Sequence, residues 1–208
     1  ADLDSDGDID LATVNENSGD VSVLRNVGDG EFLEAVAYAA ETSPAFLASA
    51  DWDGDGDTDL IAASRSSKDF SVLSNDGTAA FASALPGNLG FLPVFFRVAD
   101  LNGDGRGDVI SGSTATGEVS VFLRNPDGTL ASASGYEIWP GPVPVVLGDV
   151  LAADLNCDGA VDVVTANPRL DSVSVLLNKG DGTLREAVQF EAGDGPRALA
   201  AASRARGS

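Results

Sequence analysis

DLDSDGDID (Asp2–Asp10), DWDGDGDTD (Asp51–Asp59), DLNGDGRGD (Asp100–Asp108) and DLNCDGAVD (Asp154–Asp162) are four copies of one nonapeptide. Each sets an acid or amide at positions 1, 3, 5 and 9 and glycine at position 6. A hard cation of the size of calcium takes about six to eight oxygens at roughly 2.3–2.6 Å, and a tight loop supplies them by turning alternate side chains inward. Glycine at 6 permits the reversal. Position 7 offers its backbone carbonyl, which leaves its side chain free to vary, as it does over Asp8, Asp57, Arg106 and Ala160. The expected ligand positions are Asp2, Asp4, Asp6, Asp8 and Asp10; Asp51, Asp53, Asp55, Asp57 and Asp59; Asp100, Asn102, Asp104, Arg106 and Asp108; and Asp154, Asn156, Asp158, Ala160 and Asp162. The implied cofactor is Ca2+, up to four ions. An EF-hand needs a glutamate at position 12, where this chain has Thr13, Ala62, Ser111 and Thr165. The acid at 9 closes the loop instead.

The first ligands fall at 2, 51, 100 and 154, intervals of 49, 49 and 54 residues. That period suits a supersecondary unit of several short strands, the size of a propeller blade. After each loop comes an apolar β-prone run: Leu11–Val14, Leu60–Ala63, Val109–Ile110 and Val163–Ala166. An alternating Ser-Val-Leu-type strand follows at Val21–Leu24, Phe70–Leu73, Val119–Leu123 and Val173–Leu177. Then comes an Asx-Gly turn, a weaker strand such as Phe32–Tyr38 or Leu184–Phe190, and a further apolar run, Ala45–Ala50 or Val94–Ala99. No segment has helical periodicity. The expected fold class is all-β: a β-propeller of four-stranded antiparallel blades, about four to the chain, in one domain spanning 1–202 with repeats 2–50, 51–99, 100–153 and 154–202.

Charge and composition narrow the chemistry. Net charge is −21, and 16 of the 33 acids lie inside the nonapeptides, so the acidity is localised and not a general surface property. Four divalent ions would bring the charge to −13. Such a balance argues against nucleic acid and anionic membranes as partners. No run is long and apolar enough for membrane insertion. Cys157 is the single cysteine, a neutral occupant of loop position 4. Histidine is absent, which removes Ser-His-Asp and Cys-His catalysis and the commonest general base. No catalytic residue is assigned.

The motif DxDxDGxxD, followed by Leu or Val and an apolar strand, with Ser-Val-Leu and Gly-Asp-Gly-Thr downstream, resembles the FG-GAP/VCBS-type repeats of integrin-α-like β-propellers. The resemblance covers all four units. It implies calcium in a hairpin loop between the first and second strands of a blade, usually in rings of seven. The first two loops, with Asp4 and Asp53 at position 3, are expected to bind more tightly than those with Asn102 and Asn156. Such sites suit an extracellular or periplasmic protein, because calcium is scarce in the cytosol.

Pro196–Ala202 aligns with Pro44–Ala50, and the first unit lacks a strand before its loop. The expectation is that this segment pairs there, closing a ring within the chain or joining chains as a homo-oligomer by strand exchange. Residues 203–208 do not continue the repeat and read as a cloning scar. Five extra residues within Gly135–Val150 imply an enlarged loop. Trp52 and the Phe91, Phe95 and Phe96 group are expected in the packing, and Trp139 in the core. The leading functional reading is a calcium-binding adhesion or ligand-binding module with a protein or glycan partner. Alternatives are a calcium-dependent hydrolase of phosphoester-like substrates using a metal-bound water, and a passive scaffold.

Overall fold

The computed structural model describes residues 1–40, 43–82, 85–113, 116–141 and 145–202, and all their regular structure is β-strand. Strands β1 (Leu11–Asn15), β2 (Asp20–Leu24) and β3 (Val36–Ala39) form a three-stranded sheet. Three four-stranded meanders follow. They are β4 (Pro44–Ala50), β5 (Asp59–Ser64), β6 (Asp69–Leu73) and β7 (Leu85–Asn88); β8 (Phe95–Ala99), β9 (Asp108–Gly112), β10 (Glu118–Phe122) and β11 (Ser134–Glu137); and β12 (Asp149–Ala153), β13 (Asp162–Asn167), β14 (Ser172–Leu176) and β15 (Val188–Glu191). Every pairing is antiparallel between sequence neighbours. The all-β, four-sheet propeller-like architecture is the expected one.

The nonapeptides from Asp51, Asp100 and Asp154 each join the first strand of a four-stranded sheet to its second, so the sequence repeat runs one strand out of phase with the sheet. The strand preceding the loop at 51–59 is β4, paired with β5 in register Ala50↔Asp59. The first sheet has three strands, and the loop from Asp2 to Asp10 leads into its β1. The leading strands β4, β8 and β12 stand side by side, with β1 at the end of the row next to β4.

Period-two alternation is what stacks the blades. On β5, Leu60 and Ala62 enter a core shared with sheet one, through Leu3, Val21 and Val23. Their neighbours Ile61 and Ala63 point the other way, to Trp52, Phe70, Phe96 and Val109 between sheets two and three. On β8, Phe96 joins that second core and Phe95 joins a third, with Ile110, Val119, Val163 and Leu176 between sheets three and four. Central strands therefore read as continuous apolar runs, while the outer strands β3, β11 and β15 are mostly exposed.

Three local expectations change. The weak fourth strand begins later, at Val36 and Val188 rather than Phe32 and Leu184. Phe32 and Leu184 form single bridges across the turn, to Asn26 and Asn178. Pro196–Ala202 is not a strand. It runs along the start of β12, where the Leu199 N–H donates to Asp149 Oδ2 at 3.0 Å and Gly148 packs on Pro196 and Arg197. Trp139 is 37% exposed, and its neighbour Ile138, at 2%, takes the core position. Pro142, Pro144 and the tail 203–208 lie outside the described residues.

Candidate metal loops and interblade grooves

The aspartate at position 9 organises every loop. Asp10, Asp59, Asp108 and Asp162 are at most 2% exposed. One oxygen of each accepts the N–H of the residue at position 2, and the other accepts the N–H of a residue sixteen further on, past the next two strands. All eight bonds measure between 2.7 and 3.0 Å. This carboxylate therefore pins the loop to the far end of its hairpin, beyond the ligating role read from sequence.

Position 1 threads the rest of the loop. Asp51 accepts the N–H groups of Gly54 and Gly56, and Asp100 those of Gly103, Asp104 and Gly105. Position 5 closes an Asx turn onto position 7, as Asp6 does with the Asp8 N–H and Asp55 with that of Asp57, both at 2.9 Å. Glycine at 6 has φ between 81° and 96° in all four copies. Position 4 shares the left-handed requirement: Gly54 and Gly103 at 84° and 75°, but Ser5 and Cys157 at 60° and 62°. It is thus a constrained position, not a freely variable one, and Cys157 is exposed there.

The loops differ in what converges. Carboxylate oxygens of Asp2, Asp4 and Asp10 lie within 4.8 Å of one another, and so do those of Asp51, Asp53 and Asp59. Asp2 Oδ1 and Asp4 Oδ1 are buried without a hydrogen-bond partner. Buried acceptors left unmatched among like charges cost stability, and a bound cation removes that cost. These donor sets of hard oxygens fit calcium. Asp6 and Asp55 stand outside both groups, held in their Asx turns. Asp57, at position 7, points away over Gly77 of the following turn, which leaves its carbonyl to the loop.

Loops three and four answer their own charge. Asn102 and Asn156 replace the position-3 acid and donate through Nδ2 to Asp104 and Asp158 at 3.1 and 2.8 Å. Arg106 Nη2 adds an ion pair to Asp104 at 2.6 Å. Electrostatics follow burial as well as this division. Burial, then the charges of Asp6 and Asp10, raises the Asp4 carboxyl, and burial with the charge of Asp55 raises Asp53. Burial pushes Asp59 up to about 6 against the opposing N–H bonds of Asn75 and Trp52. Burial also raises Asp108. In loop four the Ala160 N–H and Asn156 lower Asp158.

A second constellation escaped the sequence reading. Asn75 Nδ2 donates to the Leu3 carbonyl of the preceding sheet at 2.7 Å, and Asn178 Nδ2 donates to that of Leu101 at 2.7 Å. Each also ties its own hairpin, at Thr58 and Val161. The signal was an asparagine recurring two residues after the alternating strand: Asn26, Asn75 and Asn178. The third blade carries Arg124 there, with its guanidinium 5.0 Å from the Trp52 ring centre of the blade before.

A row of antiparallel meanders with an acidic hairpin after each leading strand defines a propeller-type repeat protein. The FG-GAP-like repeat profile matches residues 2–62, 51–111 and 100–165, and the chain belongs to that family. No curated protein matches the chain. A lectin from Agrocybe aegerita, solved for its recognition of non-reducing terminal N-acetylglucosamine, superposes with TM-score 0.64 at 26% identity, over 91% of this chain and 50% of its own. The BBS1N domain crystallised with ARL6DN gives TM-score 0.56 at 14% identity, over 88% and 50%. The V. cholerae biofilm matrix protein Bap1 gives 0.52 at 19%, over 95% and 29%. This chain spans about half of the lectin's length.

Proposed function

We propose that this chain is a calcium-stapled propeller module of an extracellular protein, and that it binds glycan through the grooves between its blades. The metal reading rests on one observation: three carboxylates converge within 4.8 Å in each of the first two loops, with Asp2 Oδ1 and Asp4 Oδ1 buried and unpartnered. Asp2, Asp4 and Asp10, and Asp51, Asp53 and Asp59, hold the ion, with the position-7 carbonyl completing each set. The ion neutralises repelling carboxylates and so fixes the hairpin that clasps neighbouring blades. Likeness to a lectin at 26% identity supports the glycan reading.

The test is calorimetric titration of the metal-stripped protein with calcium, combined with thermal melts in calcium and in EDTA. Two tighter sites and a melting temperature several degrees higher in calcium are expected. Equal melts in calcium and EDTA would remove the stapling role. A glycan array run in calcium tests the ligand half separately.

A further inference from the structure

The three interblade grooves are built from the same repeat positions, and the middle one differs at four of them. Register places Tyr38, Gly87 and Tyr136 at one site, opposite Val21, Phe70 and Val119. In the outer grooves the tyrosine crosses to the next blade. Tyr38 Oη donates to the Ala79 carbonyl at 3.1 Å, and Tyr136 Oη accepts the Leu184 N–H at 3.1 Å. Gly87 gives the middle groove no such bar. One residue beyond the alternating strand, Arg25 and Leu123 flank the outer grooves, and Ser74 takes their place in the middle. The cavity between sheets two and three measures about 530 Å³, against 250 Å³ between sheets one and two and 410 Å³ between three and four.

The same groove holds the two remaining exceptions. Trp52 replaces the leucine of Leu3 and Leu101, and Arg124 replaces the clasping asparagine. Arg124 is 9% exposed, and its Nε is buried without a partner. None of the ion pairs among the described residues includes it. The neighbouring Asp127 spends Oδ1 on the N–H and hydroxyl of Thr129, and it feels the charge of Arg124 without an ion-pair contact to it. A buried guanidinium whose Nε lacks a partner has room for an anion, best a planar carboxylate. Around it, Ser74 offers a hydroxyl over an apolar floor of Phe70 and Val72, while Asn88 is bonded to Asp69 and Gly90, and Thr129 to Asp127 and Asn125. Asp53 stands at the rim, where calcium in the second loop would cancel its charge.

We infer that the groove between sheets two and three is a site for a carboxylate-bearing sugar of the uronic acid kind, its carboxylate held by Arg124. This deepens the glycan reading and rests on it. The experiment is calorimetry on the calcium-loaded 208-residue protein with D-glucuronate, D-glucose and N-acetylglucosamine. Glucuronate is expected to bind at least about tenfold more tightly than glucose, the gain of a charge-assisted contact. Arg124→Asn installs the residue of the other blades and should erase that preference while keeping the fold. Phe70→Val with Gly87→Tyr rebuilds the tyrosine bar of the outer grooves and should abolish glucuronate binding in protein that circular dichroism shows to be folded. Equal binding of glucose and glucuronate, or a preference that survives Arg124→Asn, overturns the assignment. Binding of N-acetylglucosamine without glucuronate overturns it too and leaves the glycan reading standing. Binding of none of the three overturns the assignment, and an array without hits removes the glycan reading as well.

Discussion

Loops two and three lie one blade apart on the same scaffold and solve the same electrostatic problem by opposite means. Both are pinned by a fully buried aspartate, Asp59 or Asp108, that accepts two backbone N–H groups. Loop two then gathers Asp51 and Asp53 around that acid and holds no basic side chain in ion-pair contact among the described residues. Loop three puts Asn102 in place of the acid and brings Arg106 onto Asp104 at 2.6 Å. One loop leaves its converging carboxylates without a basic partner, and the other carries an internal cation. A shared motif thus separates into a part that folds the hairpin and a part that sets the charge left in the loop.

The largest expected effect concerns what the two loops share. Asp59→Ala and Asp108→Ala each strand two buried N–H donors, at a cost of about 1–3 kcal/mol apiece, so each should lose roughly 3–5 kcal/mol in urea unfolding of the metal-free protein. Near-equal losses support a common pinning role. A markedly smaller loss at Asp108 would mean that loop three does not need its pin. In calcium the Asp59 variant should fall further behind the Asp108 variant, since it alone also loses a converging ligand.

The next effect is pH. The folded Asp59 carboxyl sits near 6, above its ordinary 3.8, chiefly through burial. An acid whose folded value is raised stabilises the fold below its unfolded value, and that stability fades as pH climbs through the folded one. Metal-free protein should therefore lose on the order of 2–3 kcal/mol from this group between about pH 4 and pH 6.5. The raised Asp4, Asp53 and Asp108 add in the same direction. Calcium binds the ionised form, so in excess calcium the trend should reverse. Carboxyl NMR of the stripped protein checks the midpoint directly, and an Asp59 midpoint near 4 would dissolve this electrostatic contrast.

Much of this was legible in the sequence because period-two alternation and a fixed-spacing loop are local signals. The loop positions, the blade order and the paired strands from Asp20, Asp69, Glu118 and Ser172 all follow from them. What was hidden depends on contacts across blades. The Asn75 and Asn178 clasps reach carbonyls 72 and 77 residues away, and no local pattern announces their target. The pinning role of position 9 was obscured because an acid that ligates and an acid that accepts N–H groups look the same in sequence. Pro196–Ala202 carries a strand's sequence without a strand's partner, and β-propensity alone does not supply one.

The smallest and sharpest test exchanges the single position that separates the loops. Asp53→Asn gives loop two the donor set of loops three and four, removing one charge from the converging group. Its calcium affinity should fall about tenfold, or roughly 1.4 kcal/mol. Asn102→Asp should strengthen loop three by less, because Arg106 remains on Asp104 and competes with the ion. Asn102→Asp with Arg106→Ala, which takes the residue of loop four at position 7, should then recover the rest. Site-resolved calcium titration by NMR, using the glycine amides Gly56 and Gly105, reads each loop separately. If Asn102→Asp alone matched loop two, the internal ion pair would have no bearing on metal demand, and carboxylate count would be the whole difference between the two loops.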